Sequence, residues 1–300
     1  MAAGDADRPG GMAGSVTSSG AAGDLPKPPT QVAPELPPEI RRLWAGADRP
    51  RRGPKPALTL DQITAAAIDL ADREGLPAVS MARLAEALGY STMALYRYVS
   101  GKDELLLLMS DGVADDPPDL SGASNWREAL EIWAMDQIGM VLGRPWFLEL
   151  PLAGVLPGPR RMRWIDAAFG ALATVDAPFD TKLRAIGLMA QHVLGEARVT
   201  VESQRTAASA AARAEGLPVG TPVSEIPAQA LAAADPYVDF ETVIARYADP
   251  EHYPALFAAI EEAAGDIVQP PAHDWREEAA IGINVMLDGI ELLLKRSRRG

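Results

Sequence analysis

The sequence predicts an all-α protein, and three observations support this prediction. Apolar residues recur three and four positions apart over long stretches, which is the spacing of a buried helix face. Alanine is abundant, whereas aromatic residues supply only 6% of the chain, and this composition favours helix. No segment sustains the alternation of apolar and polar residues that is typical of a half-buried strand.

The first two segments contain few helix signals. Residues 1–34 are Gly, Ala, Pro or Ser at 21 of 34 positions, so we expect a disordered tail that buries too little apolar surface to offset its ordering entropy. A basic, Pro-rich arm is expected over residues 35–58. Pro38 is expected to open a short helix through Trp44, whose indole docks on a neighbouring element, and prolines prevent helix further along the arm. The arm is interpreted either as a DNA contact or as a solubilising linker.

A helical unit is predicted over residues 59–112. Thr59 is a candidate N-cap, and Gln62 lies three residues on, as in a capping box. Ser80 is the candidate N-cap of a second, short helix, which Gly89 ends.

Two further helices complete this unit, one from about Ser91 to Tyr98 and one from Lys102 to Asp111. Two short helices joined at a glycine favour a helix-turn-helix. Glycine tolerates the positive φ of the turn, and the second helix must be short and exposed to enter a groove.

Residues 119–300 are predicted to form a larger helical domain. Its helices are expected at about 125–142, 159–174, 179–213, 238–247, 254–264 and 275–295. Pro and Ala accumulate between residues 214 and 236, which predicts a mobile loop.

The net charge of −13 is unevenly distributed. Residues 41–110 carry ten Lys and Arg against eight Asp and Glu, whereas the remainder carries 18 against 33. Any contact with nucleic acid is therefore expected at one end of the molecule.

Several classes of function are disfavoured by residues and motifs that the sequence lacks. With no cysteine, disulfides, thiolate metal sites and a cysteine nucleophile are excluded. The sequence has no Gly-x-Ser-x-Gly elbow, His-Glu-x-x-His motif or dinucleotide fingerprint, and no two of its three histidines share helical spacing with a carboxylate. We therefore expect no enzyme, metal or cofactor. No apolar run is long enough to span a membrane and no secretory signal is evident, so a cytoplasmic protein is expected.

The segment from Leu58 to Met109 resembles the DNA-binding domain of the TetR family of transcription regulators. The most diagnostic part is LGYSTMALYRYV at residues 88–99, followed by GKDEL at residues 101–105. The resemblance implies that the helix from Ser91 is the recognition helix, and that Tyr96 and Lys102 contact phosphate. The residues expected to contact DNA are Arg51, Arg52, Thr59, Ser80, Arg83, Ser91, Thr92, Ala94, Tyr96, Arg97, Tyr98 and Lys102.

Some of these roles have structural alternatives. Tyr96 can be read as a packing aromatic, and Arg97 as a solvated charge. Where some members of the family place a base-reading arginine, this chain has Ala82, followed by Arg83, whose orientation stays open.

The C-terminal half resembles, more faintly, the regulatory domain of the tetracycline-repressor branch of this family. That resemblance implies a homodimer in which the long eighth helix and the last helix pair across a two-fold axis. The last helix carries an apolar stripe that suits either such an interface or an internal core. It consists of Ile283, Met286, Leu287, Ile290, Leu293 and Leu294.

Bulky residues in the same half are candidates for the wall of a small-molecule site, since such sites combine apolar walls with a few polar groups. Ordinary core packing is the alternative for each of them. The candidates are Trp133, Met140, Trp146, Trp164, Phe169, Met189 and His192, with Phe147 beside them.

The resemblance implies a repressor that a small-molecule effector releases from a palindromic operator in double-stranded DNA. Two alternatives belong to other classes. One is a ligand-independent activator or architectural DNA-binding protein, and the other is an all-helical enzyme fused to a DNA-binding head.

Overall fold

The computed structural model describes residues 35–47, 58–114, 116–151, 157–221, 223–234, 238–263 and 275–297. These segments are mainly helical and contain no strand, which confirms the predicted fold class. The N-terminal helices are α1 (Pro38–Ala47), α2 (Leu60–Glu74), α3 (Met81–Leu88), α4 (Thr92–Tyr96) and α5 (Lys102–Gly112). They are followed by α6 (Trp126–Gly143), α7 (Pro159–Ala171), α8 (Phe179–Ala214), α9 (Ala228–Ala233), α10 (Val238–Tyr247), α11 (Pro254–Ala263) and α12 (Trp275–Ser297). Short 3₁₀ turns lie at Leu76–Ala78, Pro145–Glu149 and Val223–Glu225.

Helices α2 to α5 are positioned by local caps and a small apolar core. The capping box predicted at the start of α2 is confirmed. The Thr59 hydroxyl accepts a hydrogen bond from the Gln62 N–H at 3.2 Å, and the Thr59 N–H donates to the Gln62 side chain at 2.9 Å. Helix α2 packs against α3 and α5, while Leu84 and Leu95 are fully buried. Because α4 is only five residues long, tertiary packing rather than its own hydrogen bonds must hold it in place.

Helix α8 is the central element of the C-terminal part, where it packs against α6, α7 and α12. The apolar stripe predicted on the last helix forms an internal core in the structure. Ile283, Leu287, Ile290 and Leu294 are buried, and α12 packs on α6 and α8. A second apolar stripe on the same helix, Ile281, Val285 and Leu292, is exposed instead. The helix is apolar on more than one side, so its sequence alone did not determine which side is buried.

The segment predicted to be a mobile loop contains helix α9. Ile226 just before it is buried against Ala208 and Ala212 of α8. The sequence prediction was wrong here because proline, read as a loop signal, stands at Pro227, where it precedes the first turn of a helix.

Helix α1 confirms the short helix expected after Pro38. The Trp44 indole N–H donates to the Pro157 carbonyl at 3.2 Å, so the indole does dock on a neighbouring element. Arg42 forms two hydrogen bonds, of 2.6 and 2.7 Å, with the buried carboxylate of Glu104 on α5. Residues 1–34 and the part of the arm with Arg51 and Arg52 lie outside the described residues.

A buried carboxylate joins α5 to α7. Asp111, near the end of α5, is only 3% exposed. Its two oxygens accept the backbone N–H groups of Arg161 at 3.0 Å and Arg160 at 3.3 Å. These groups belong to the first turn of α7, where N–H groups lack partners within the helix and the helix dipole favours a negative charge. The N-cap itself is Gly158, which has no side chain to serve as a cap.

Gly158 leaves room for this contact, because a Cβ at this position would overlap the Asp111 carboxylate. We expect Gly158→Ala to lower the free energy of unfolding by roughly 1–3 kcal/mol, as overpacking does at other tightly packed sites. Urea unfolding followed by circular dichroism measures this change.

The matched control is Gly170→Ala in the same helix, where a Cβ would meet nothing within 4 Å. Alanine there is expected to stabilise the protein by up to about 1 kcal/mol through its helix propensity. Equal free energies of unfolding in the two variants would show that the Asp111 contact does not restrict position 158.

Candidate DNA-binding surface and ligand cavity

The connection between α3 and α4 has the geometry of a helix-turn-helix. Gly89 adopts φ 73° and ψ 29°, a left-handed conformation that side-chain-bearing residues rarely adopt. Ser91 then caps α4, since its hydroxyl accepts a hydrogen bond from the Ala94 N–H at 3.3 Å. The chain therefore ends one helix and begins the next within three residues.

One side of α4 is exposed, and this side carries some of the residues expected to contact DNA. Ser91 and Arg97 are exposed, and Tyr96 is 48% exposed. Met93 is 73% exposed, although it was not among the residues predicted to contact DNA. A methionine within an apolar pattern is usually assigned to a core, so its position was visible only once the rotation of α4 was known.

The other residues predicted to contact DNA are less exposed or already have partners. Thr92 and Ala94 are half-buried, and the half-buried Tyr98 packs against the core. The Arg83 guanidinium donates to the Glu74 carboxylate at 2.8 Å, which holds it along the protein surface.

Three predicted residues lie at helix starts. The hydroxyls of Thr59 and Ser80 accept N–H groups in the first turns of α2 and α3. Lys102 is exposed at the first position of α5.

An apolar cavity of about 230 Å³ lies between α5, α6, α7 and α8. Trp133, Phe147, Trp164 and Ile186 contribute to its wall. The indole N–H of Trp133 donates to the Trp164 carbonyl at 2.9 Å, and the centroids of the two indole rings are 6.5 Å apart. This hydrogen bond satisfies and orients the Trp133 indole N–H, so the Trp133 ring offers mainly apolar surface to the cavity.

A larger, open depression of about 1060 Å³ also borders α6. Its lining includes the carboxylates of Asp72, Glu128, Glu131 and Asp136. Small-molecule sites bury most of the ligand and have mainly apolar walls. The smaller cavity fits that description better.

Comparisons with known proteins agree with this geometry. Residues 63–109 match the family model described as "Bacterial regulatory proteins, tetR family". The chain is 37% identical over 197 residues to the HTH-type transcriptional repressor DrrR1 of Streptomyces coeruleorubidus, an alignment that covers 65% of this chain and 68% of that relative. It is 32% identical over 163 residues to an HTH-type transcriptional regulator of Saccharopolyspora erythraea, covering 54% and 67% of the two chains. The chain belongs to the TetR family.

Solved structures with the same fold include the Streptomyces coelicolor TetR family protein ActR. Its complex with (S)-DNPA matches with a TM-score of 0.55 and 22% identity, covering 81% of this chain and 100% of that one. Its complex with actinorhodin matches with a TM-score of 0.56 and 22% identity, covering 78% and 95%. The present TetR-family protein is therefore a DNA-binding transcriptional regulator, and its relatives are named as regulators rather than enzymes.

Of the residues predicted to line a ligand site, Trp133, Met140 and Trp164 do line the cavity of this regulator. Arg161 and Gln137 line it as well, and no local pattern in the sequence identifies them as cavity residues.

The structure places the other four predicted residues elsewhere. The Trp146 indole donates to Asp72 of α2 at 2.7 Å, and Phe169 stacks on Phe179 with ring centroids 5.2 Å apart. Met189 is fully buried in the core, and the His192 imidazole lies against Gly282 of α12. Neighbouring residues of one helix face different directions, which residue type alone does not reveal.

The segments that the structure describes contain no group of three or more His, Asp or Glu side chains that could hold a metal ion. No helix in these segments is both long and apolar enough to cross a membrane.

Glu104 is a buried charge on α5 that is bonded to the loop following α4. Burial acts to raise the pKa of its carboxyl, but hydrogen bonds from Arg42 and from the Ser100 backbone and hydroxyl outweigh burial and lower the pKa below 4.5. The Ser100 N–H and hydroxyl donate to it at 2.6 and 2.7 Å. Glu104 thereby links α1, α5 and the loop that follows α4.

Because folding lowers the pKa of Glu104, its ionised carboxylate stabilises the folded state at pH values above the pKa that Glu104 has in the unfolded chain. This stabilisation is lost as the pH falls through the pKa of Glu104 in the folded state. We expect Glu104→Gln to destabilise the regulator by about 1–2 kcal/mol at neutral pH, a modest value because Arg42 is partly exposed. The loss should shrink as the pH is lowered below about 4.5. Urea unfolding at a series of pH values measures it.

The exposed carboxylate of Glu86 on α3 provides the control. Glu86→Gln should change stability little at any of these pH values. A destabilisation by Glu104→Gln that is the same at acid and neutral pH would show that the ionised form is not what the surroundings stabilise.

Proposed function

We propose that this regulator is a repressor that a small-molecule effector releases from a palindromic operator. The observation that carries the proposal is that α5 is bonded through Glu104 to Ser100 in the loop after the exposed helix α4 and ends in the wall of the apolar cavity, where it contributes Ser110. Two relatives support it. DrrR1 is named a transcriptional repressor, and ActR has been solved in complex with small molecules.

We infer the division of roles at the DNA from exposure and chemistry. Ser91, Thr92, Met93, Ala94 and Arg97 present hydroxyl, apolar and guanidinium groups, which are the groups that read base edges in the major groove.

Other residues are proposed to hold the phosphates. These are Tyr96, Lys102, the helix starts at Thr59 and Ser80, and the arm residues Arg51 and Arg52. Tyr98 and Arg83, both already engaged with protein atoms, are assigned supporting roles at the edge of this surface.

This division predicts different effects for two substitutions in α4. Tyr96→Phe removes one phosphate contact and should weaken binding to all operator sequences alike, since phosphate contacts carry no direct sequence information. Thr92→Ala should instead relax the preference at particular base pairs by about 1–3 kcal/mol. The measurement is binding to an operator selected from random duplexes, in competition with its single-base variants.

The same experiment tests the proposed function. The selected operator is expected to be a palindrome whose half-sites bind the recognition helices of two subunits. A single asymmetric half-site bound by one subunit would contradict the proposal. A uniform loss in both variants would contradict the division of roles.

We propose that the regulator forms a homodimer through the exposed apolar stripe of α12, together with α8. Ile281 and Val285 are each 68% exposed and Leu292 is 49% exposed, while Leu188 and Val199 of α8 are also exposed. Exposed apolar stripes of this length on packed helices are typical of protein interfaces. A two-fold arrangement would bury both copies of the stripe and pair two recognition helices.

The Val285→Glu substitution tests this interface. A charge in the centre of the stripe should convert the dimer to a monomer and weaken operator binding, because one short recognition helix makes too few contacts for specific binding. Analytical ultracentrifugation and operator titration measure the two effects. Val219→Glu, at a fully exposed valine, is the control and should leave the dimer intact. A dimer that survives Val285→Glu would move the interface to another surface.

Release by an effector requires that the effector prefer one conformation of the dimer over another. A preference of about 1–3 kcal/mol lowers operator affinity roughly 5- to 150-fold. The contact between Asp111 and the start of α7 is the proposed path, because it lies beside the cavity and continues through α5 to the DNA-binding surface. An operator affinity that no cavity ligand alters would favour a ligand-independent activator or architectural protein instead.

A further inference from the structure

Arg161 is the charged residue in the cavity wall. It lies in the first turn of α7 and shares the wall with Trp133, Phe147 and Trp164. Its Nη1 atom is buried and makes no hydrogen bond. Burial lowers the pKa of its guanidinium, but an arginine remains charged in proteins. A positive charge therefore lies in the wall of an apolar cavity, and one of its donors is buried without a partner.

Nearby groups leave this donor unpaired. Asp111 acts on the guanidinium at a distance, but both of its oxygens accept backbone N–H groups of Arg160 and Arg161. Among the residues that the structure describes, no carboxylate lies within ion-pair distance of Arg161. A buried charge without a partner is unfavourable, so a ligand that supplies a negative oxygen gains more here than at a solvated arginine.

Other polar side chains of the wall already have partners. The Trp133 indole donates to the Trp164 carbonyl, the Ser110 hydroxyl to the Leu107 carbonyl at 2.8 Å, and the Gln137 amide to the Trp133 carbonyl at 3.3 Å. These bonds leave the indole rings to offer apolar surface. The cavity thus presents one cationic donor among aromatic and aliphatic walls.

We propose that Arg161 binds an anionic oxygen, a carboxylate or a phenolate, of a flat and mainly apolar effector whose rings pack beside Trp133 and Trp164. This rests on the proposed function of the cavity and adds the chemical class of the effector. A neutral molecule of the same shape fills the same space but leaves the guanidinium unpaired, so it binds more weakly.

Two naphthalene compounds of nearly equal shape test this proposal in the full-length dimer. 2-Naphthoate carries the carboxylate, and 2-naphthamide replaces it with a neutral amide. Isothermal titration should show that 2-naphthoate binds at least about tenfold more tightly to the unaltered protein, as expected for a charged hydrogen bond in a buried site. This comparison needs no variant and therefore does not depend on the folding of one.

Variants locate the effect. Arg161→Gln should abolish the preference for 2-naphthoate, and Arg161→Lys should retain part of it. Arg160→Gln removes an equal charge from the adjacent, exposed arginine, whose side chain donates to the Gly112 carbonyl, and it should leave the preference unchanged.

Three outcomes would overturn the proposal: equal affinity for the two compounds, a preference that survives Arg161→Gln, or no binding of either compound. Operator binding by the ligand-free protein is measured separately. If the ligand-free protein bound no operator, the proposed function would be contradicted. If it bound an operator and gave any of the three outcomes, only the role of Arg161 would be contradicted.

Discussion

The buried carboxylate of Asp111 joins α5, the last of the DNA-binding helices, to α7. It is buried at the end of α5 and accepts two backbone N–H groups at the start of α7. A buried carboxylate is tolerated only where hydrogen bonds and positive charge replace water, and the first turn of a helix supplies both. The glycine at position 158 gives the carboxylate room to approach. One side chain therefore links the end of α5 to the start of α7, two elements that are far apart in sequence.

The position of this joint gives it a functional consequence. Ser110 and Arg161 both line the cavity. Ser110 precedes Asp111 in the sequence, and the backbone N–H of Arg161 donates to the Asp111 carboxylate. The cavity thus borders both helices of the joint, beside Asp111 on α5 and at Arg161 on α7. At the other end of α5, Glu104 binds Arg42 and Ser100, so a displacement of α5 reaches the loop that follows α4. The apolar core is continuous along this path, from Leu58 to Leu294. Packed cores of this kind transmit strain rather than absorb it.

Features of the fold that depend on neighbouring residues were predicted from the sequence. Features that depend on the packing of distant helices were not. The capping box at Thr59 and the turn at Gly89 are local, because each depends on residues a few positions apart. The buried side of α12 depends on which helices pack against it, so the stripe around Ile283 had two interpretations until α6 and α8 were placed. The same holds for the cavity: Trp146 faces Asp72 instead, whereas Arg161, whose residue type suggests a solvated surface, lies in the wall. The bulky residue types of this half of the chain were enough to predict a cavity. They were not enough to identify the residues that line it.

The most direct measurement is the distance between the two α4 helices of the proposed homodimer when the cavity is filled. The chain has no cysteine, so Met93→Cys gives one spin-label site on the exposed side of α4 in each subunit. Gly187 lines the cavity, and a Cβ there meets nothing within 4 Å, so Gly187→Phe provides a built-in occupant. Double electron–electron resonance should show a changed label separation in the Gly187→Phe dimer, and Asp111→Asn should abolish that change. A separation that Gly187→Phe leaves unaltered, or a change that persists with Asp111→Asn, would contradict coupling through this joint.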